Sequence, residues 1–140
     1  FLDNIKTFKK DYEILLIEDD ISTINLITRF FESKGISCKG VVSGSKGLEE
    51  LKNANPDVIL LDILLPDLSG YEICKTLKTD KEYKEIPVYF LTATAGSEVE
   101  RKLDETGADG YILKPFNLSD FNEIFKIIEG SSEKPNNKRP

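Results

Sequence analysis

Four runs of three or four apolar residues, at positions 14–17, 58–61, 88–91 and 111–113, carry no polar interruption, and each ends abruptly in a charged or hydroxyl side chain. Runs this short suit strands better than core helices, and the lack of alternation means that both faces of each strand are covered. That is the pattern of a parallel sheet flanked by helices. Between the runs, apolar residues fall at helical spacing: Ile24, Ile27, Phe30 and Phe31; Leu48 and Leu51; Tyr71, Cys74 and Leu77; Val99 and Leu103; Phe121, Ile124, Phe125 and Ile128. A weaker, mixed run at 37–42 reads as an edge strand. The predicted fold is α/β, a five-stranded parallel sheet with helices on both faces and residues 58–61 at its centre. Gly35 is the expected stop of the first helix, Pro56 ends the connection after the second, and Pro87 opens the fourth strand.

A chain of 140 residues with 39% hydrophobic content has enough for one core, and nothing suggests a second. No apolar run approaches the roughly 18 residues of a membrane span, and no cleavable signal pattern opens the chain. With 19 basic against 25 acidic side chains, the surface lacks the footprint of a nucleic-acid binder. The two cysteines, Cys38 and Cys74, suggest neither a metal knuckle nor a disulfide scaffold, so a reducing cytoplasmic setting is expected. Residues 1–11 read as an N-terminal linker and 130–140 as a polar tail, leaving 12–129 as the domain. The chain starts at Phe1 and holds no methionine, so it is expected to be a piece of a longer protein.

The residues that end the apolar runs are Glu18 and Asp19, Asp62, Thr92 and Lys114. In an open parallel sheet the carboxyl ends of the strands line the crevice where ligands bind. Two carboxylates about 4 Å apart repel by roughly 4 kcal/mol at an effective dielectric of about 20, so three together need counter-charge. Lys114 supplies one positive charge, and a hard divalent ion with oxygen ligands, Mg²⁺, supplies the rest. Each residue also has an ordinary reading. Asp20 or Ser22 caps the following helix, Asp62 closes a strand in solvent, Thr92 is a common strand residue, and Lys114 snorkels. For all five groups to share one sheet edge by accident, however, four separate strands must end alike. The loop after Asp62, Ile63-Leu64-Leu65-Pro66-Asp67-Leu68-Ser69-Gly70, is also too apolar for idle surface.

Over residues 12–129 these motifs resemble the receiver domains of two-component response regulators, which are CheY-like. The likeness rests on Ile17-Glu18-Asp19-Asp20, on Leu61-Asp62 with Leu65-Pro66-Asp67-Leu68-Ser69-Gly70, on Leu91-Thr92-Ala93, and on residues 107–116 with Tyr111, Lys114, Pro115 and Phe116. Thr92 lies 30 positions and Lys114 52 positions beyond Asp62, as in that family. The resemblance implies a (βα)5 flavodoxin-like doubly wound fold. It implies that Asp62 is the phospho-acceptor, that Asp19 and Asp62 bind Mg²⁺ directly, that the Leu64 carbonyl adds an oxygen, and that Glu18 reaches the ion mostly through water. Glu18, Asp19 and Asp20 run together, so the register of the acid pair is open; Glu18 and Asp19 directly follow the strand, and Asp20 is taken as the cap. Glu rather than Asp in first place is a variation seen in the family.

By the same resemblance, Lys114 and Thr92 contact phosphoryl oxygens, Tyr111 is the switch aromatic, and Lys114-Pro115 is a candidate cis peptide. Leu64 and Thr94 would flank the water that removes the phosphoryl group; neither can orient it, so slow intrinsic hydrolysis is expected. The implied donor is a phosphohistidine on a sensor histidine kinase or a histidine phosphotransfer domain, and it must lie outside this chain, which has no histidine. Direct nucleic-acid or membrane contact is not implied, and a homodimer through the face of the fourth helix, fifth strand and fifth helix is allowed. Such a domain catalyses only its own phosphorylation and dephosphorylation, and the parent is expected to be a hybrid sensor kinase or multidomain regulator. Three other functions share parts of the pattern. A flavodoxin-like cofactor binder needs hydroxyls and amides, not three acids, after the first strand. An aspartate-dependent phosphatase needs aspartates two apart there, and Glu18 is the wrong nucleophile. A degenerate receiver, acting as a docking or dimerisation module, would normally have eroded these positions.

Overall fold

A computed structural model describes residues 11–132. Five strands, β1 (Ile14–Ile17), β2 (Cys38–Val41), β3 (Val58–Asp62), β4 (Val88–Thr92) and β5 (Gly110–Leu113), alternate with five helices, α1 (Ile21–Ser33), α2 (Gly44–Leu51), α3 (Gly70–Lys78), α4 (Ser97–Thr106) and α5 (Asn122–Ser132). The sheet order is β2-β1-β3-β4-β5 and every pairing is parallel. β3 is therefore central and β2 is an edge, as expected. Residues 1–10 of the linker expected at 1–11, and 133–140 of the tail expected at 130–140, lie outside the described residues.

Alternate residues of each strand enter opposite cores, which is why the runs show no polar interruption. Leu15, Ile17, Ile59, Leu61, Val88 and Phe90 pack with α2 and α3 through Leu51, Ile73, Cys74 and Leu77. Ile14, Leu16, Val58, Leu60, Leu91 and Ile112 pack with α1 and α5 through Ile27, Phe31, Ile124 and Ile128. Burying each such Leu, Ile or Phe is worth about 1.5–3 kcal/mol, so the two cores fix the sheet between its helices. Phe30, Phe31, Phe116, Phe121 and Phe125 interlock between α1 and α5 at ring separations of 5.1–6.0 Å.

Local chemistry sets the helix ends. Asp20 caps α1 by accepting the Thr23 N–H at 3.0 Å. Gly35, at φ 81°, turns the chain out of that helix and donates its N–H to the Glu32 carbonyl. Two expectations change at α5. Phe121 lies in a 3-10 turn, Leu118–Phe121, rather than in the helix; there the Asp120 N–H donates to the Asn117 carbonyl at 2.9 Å and the Asp120 carboxylate accepts the Asn117 N–H at 2.8 Å. The helix continues through Ser132, past the expected start of the tail at Gly130, and the Ser131 hydroxyl donates to Asp57 Oδ1 at 2.6 Å. Both cysteines are free. No described helix is long and apolar enough to cross a membrane.

Candidate metal and phosphoacceptor site

Asp62 is the last residue of the central strand, so its neighbours are set by the strand order. β1 lies on one side and delivers Glu18 and Asp19; β4 lies on the other and ends in Thr92. β5 comes next, and the Lys114 N–H continues its ladder by donating to the Thr92 carbonyl at 2.8 Å. One carboxylate oxygen from each of Glu18, Asp19 and Asp62 lies within 4.8 Å of the others. Glu18 and Asp62 are buried, at 1% and 7% exposure, while Asp19 is exposed.

Lys114 leans toward Glu18. Its Nζ donates to Glu18 Oε1 at 2.8 Å and stands 3.8 Å from Asp62 Oδ1. The other Glu18 oxygen accepts the Asp20 N–H at 3.1 Å, so both of its oxygens have partners within the chain. Asp62 Oδ1 accepts the Leu64 N–H at 3.3 Å. Thr92, itself buried, accepts the Thr94 N–H at 2.8 Å through its hydroxyl oxygen. Tyr111 is half-buried against the core beneath α2 and α3. Leu64 is 82% exposed, and the Lys114-Pro115 peptide is cis. Of the three consecutive acids, Asp20 is engaged as the α1 cap, and its bonds to Thr23 hold its carboxyl below the usual range.

These surroundings shift the titrations in opposite directions. Burial, then the adjacent Glu18 charge, pushes Asp62 up to about 6, against the pull of Lys114. Burial works against the charge on Lys114, but the Glu18 hydrogen bond and the charges of Asp62, Glu18 and Asp19 outweigh it and hold the ammonium above the ordinary lysine value. The cup thus holds more negative charge than one lysine neutralises. The donor set is all oxygen, the chain has no histidine, and neither cysteine belongs to the group. That composition fits a hard divalent cation such as Mg²⁺ and not a soft metal.

The structure brings Glu18, Asp19, Asp62 and Lys114 together, with Thr92 on the strand beside Asp62 and Leu64 two residues beyond it. The Glu18–Lys114 hydrogen bond was not legible in the sequence. Its partners lie 96 positions apart, and no local pattern marks which acid the lysine prefers.

A family model described as the response regulator receiver domain matches residues 14–126. The polar-differentiation response regulator DivK of Brucella ovis is 34% identical over 119 residues, which cover 85% of this chain and 97% of DivK. Among solved structures, the signal receiver domain of a signal transduction histidine kinase from Syntrophus aciditrophicus superposes with a TM-score of 0.79 at 26% identity, covering 91% of this chain and 97% of that one. The receiver domain of the sensor histidine kinase PA1611 from Pseudomonas aeruginosa, with a magnesium ion coordinated in its active site cleft, does so with a TM-score of 0.75 at 28% identity, covering 86% and 98%. With the parallel sheet, the acid cup and the lysine beside it, this chain belongs to the response regulator receiver domains of two-component systems.

Proposed function

We propose that the domain accepts a phosphoryl group on Asp62 from a phosphohistidine of a sensor histidine kinase or histidine phosphotransfer domain, in a Mg²⁺-dependent reaction. The observation that carries this reading is the grouping of Glu18, Asp19 and Asp62 oxygens within 4.8 Å, with the Lys114 ammonium 3.8 Å from Asp62. Asp19, Asp62 and the Leu64 carbonyl would hold the ion. Glu18, already engaged by Lys114 and the Asp20 N–H, would act through water. Bound there, Mg²⁺ supplies charge neutralisation for Asp62 and for the incoming phosphoryl oxygens.

An oxygen of the ionised Asp62 attacks phosphorus, the P–N bond breaks, and the departing imidazole keeps the electron pair and takes up a proton. Lys114 leaves Glu18 to pair with one phosphoryl oxygen, and the Thr92 hydroxyl turns from Thr94 to donate to another. Both contacts favour the phosphorylated form, which is how the reaction biases conformation. Movement of Thr92 frees space beside β4, and Tyr111 on the neighbouring strand turns inward to fill it.

Intact-mass measurement after mixing the protein with Mg²⁺ and acetyl phosphate tests the proposal. One added phosphoryl group is expected, absent in Asp62→Asn and absent when the metal is chelated. A folded parent protein that gains no mass under these conditions would instead be a docking module, and the phosphoacceptor reading would fall.

A further inference from the structure

The loop from Ile63 to Ser69 carries the Leu64 backbone, yet Leu64 itself is 82% exposed and is not held by its own burial. Its neighbours Ile63 and Leu65 pack against the core, and hydrogen bonds tie the rest of the loop. At the base of the loop, Leu64 and Ser69 form an antiparallel bridge and the Gly70 N–H donates to the Ile63 carbonyl at 2.8 Å. At its tip, the Asp67 carboxylate spans two backbone donors of another element: Oδ1 accepts the Gly44 N–H and Oδ2 the Ser45 N–H, both at 2.9 Å. These are donors of the first turn of α2 that have no partner within the helix, which carries no acidic residue of its own there. Those two bonds hold the Asp67 carboxyl below the usual carboxylate range. Leu68 lies against Gly44, whose Cβ, if it had one, would meet Leu68 at 3.0 Å.

We infer that Asp67 is a positioning residue for the metal edge of the site: by tying the loop to the start of α2, it fixes the Leu64 backbone beside Asp62. The role rests on the proposed reading of the Leu64 carbonyl as a metal oxygen. Only Leu65 and Pro66 separate Leu64 from the anchored residue, and Pro66 restricts the connecting backbone further. A loop pinned at base and tip presents its carbonyl without an ordering cost at the moment of binding. Released at the tip and held only at the base, the loop is freer, and the ion must supply the part of the ordering that Asp67 gave. Loss of such an outer support weakens metal binding on the order of tenfold.

The test measures Mg²⁺ affinity by calorimetry and amide hydrogen exchange at Leu64 in the parent protein, Asp67→Ala, Asp67→Asn and Ser43→Ala. Ser43 caps α2 from its own side, accepting the Lys46 N–H at 3.3 Å, and has no bond to the loop tip, so its loss should destabilise α2 and spare the metal. Expected are about tenfold weaker Mg²⁺ binding and faster Leu64 exchange in Asp67→Ala, with Asp67→Asn intermediate because one acceptor oxygen remains. Parental affinity and exchange in Asp67→Ala, or equal weakening in Ser43→Ala, overturn the inference while leaving the metal site intact. A folded parent that takes up no Mg²⁺ overturns the metal reading itself, and this role with it.

Discussion

Asp62 is pulled two ways. Burial beside Glu18 raises its proton affinity, while Lys114 and the Leu64 N–H favour its charge, and the balance falls near 6. The native state therefore binds a proton more readily than the unfolded chain, whose aspartates titrate near 3.9. In the metal-free protein, Asp62's contribution to stability is fully present below about 4 and is lost as pH rises through about 6. A metal ion and a proton compete for the same oxygens, so Mg²⁺ affinity measured by calorimetry should weaken as pH falls below about 6 and hold steady above about 7. An affinity unchanged between pH 7 and 5 would separate Asp62 from the metal. Lys114→Ala removes the cation that restrains this shift, so the Asp62 carboxyl should titrate still higher when followed by carbon NMR. At the position two beyond Asp62, Leu64 offers no group to orient water, and Thr94 offers no acid or amide. The phosphorylated form should decay slowly; a half-life of seconds, followed by mass, would contradict that.

Among the elements, α1 and α5 depend on each other through phenylalanine rings rather than polar contacts. Phe31 is fully buried and packs edge-on against Phe30 and Phe121. Phe31→Ala should cost about 3–5 kcal/mol, read as a lower urea midpoint at an unchanged slope. Gly70, the first residue of α3, has a different constraint. A Cβ there would press on the Asp62 carbonyl oxygen and would stand 2.8 Å from the Ile63 Cα, so the helix start and the end of β3 share space that only glycine allows. Because both of those atoms are backbone, Gly70→Ala should lower stability and the yield of phosphorylated Asp62 together, whereas Gly130→Ala, with open space around it, should change neither.

For the whole molecule, a ligand that binds only the native site must raise the melting temperature, by a free energy that grows with the logarithm of its concentration. Saturating Mg²⁺ should do so for the parent protein and much less for Asp62→Asn; a flat melting temperature across the series would argue against the acidic cup. Much of this architecture was legible in the sequence. Unbroken runs at 14–17, 58–61 and 88–91 demanded strands buried on two faces, helical spacing supplied the layers, and the polar residue closing each run named a member of the candidate site. Such signals are local, since burial on both faces leaves its mark on consecutive side chains. The order β2-β1-β3-β4-β5, by contrast, is what sets Asp62 between Glu18 and Thr92, and it depends on which helices cover which face. The choice of Glu18 over Asp62 by Lys114, the bond from Asp67 to the start of α2 and the run of α5 to Ser132 came only with the fold. The contacts behind them, Lys114 to Glu18, Asp67 to Gly44 and Ser45, and Ser131 to Asp57, join one or two atoms across tens of residues, strong at 2.6–2.9 Å and absent at a slightly different register, so only the packed chain decides them.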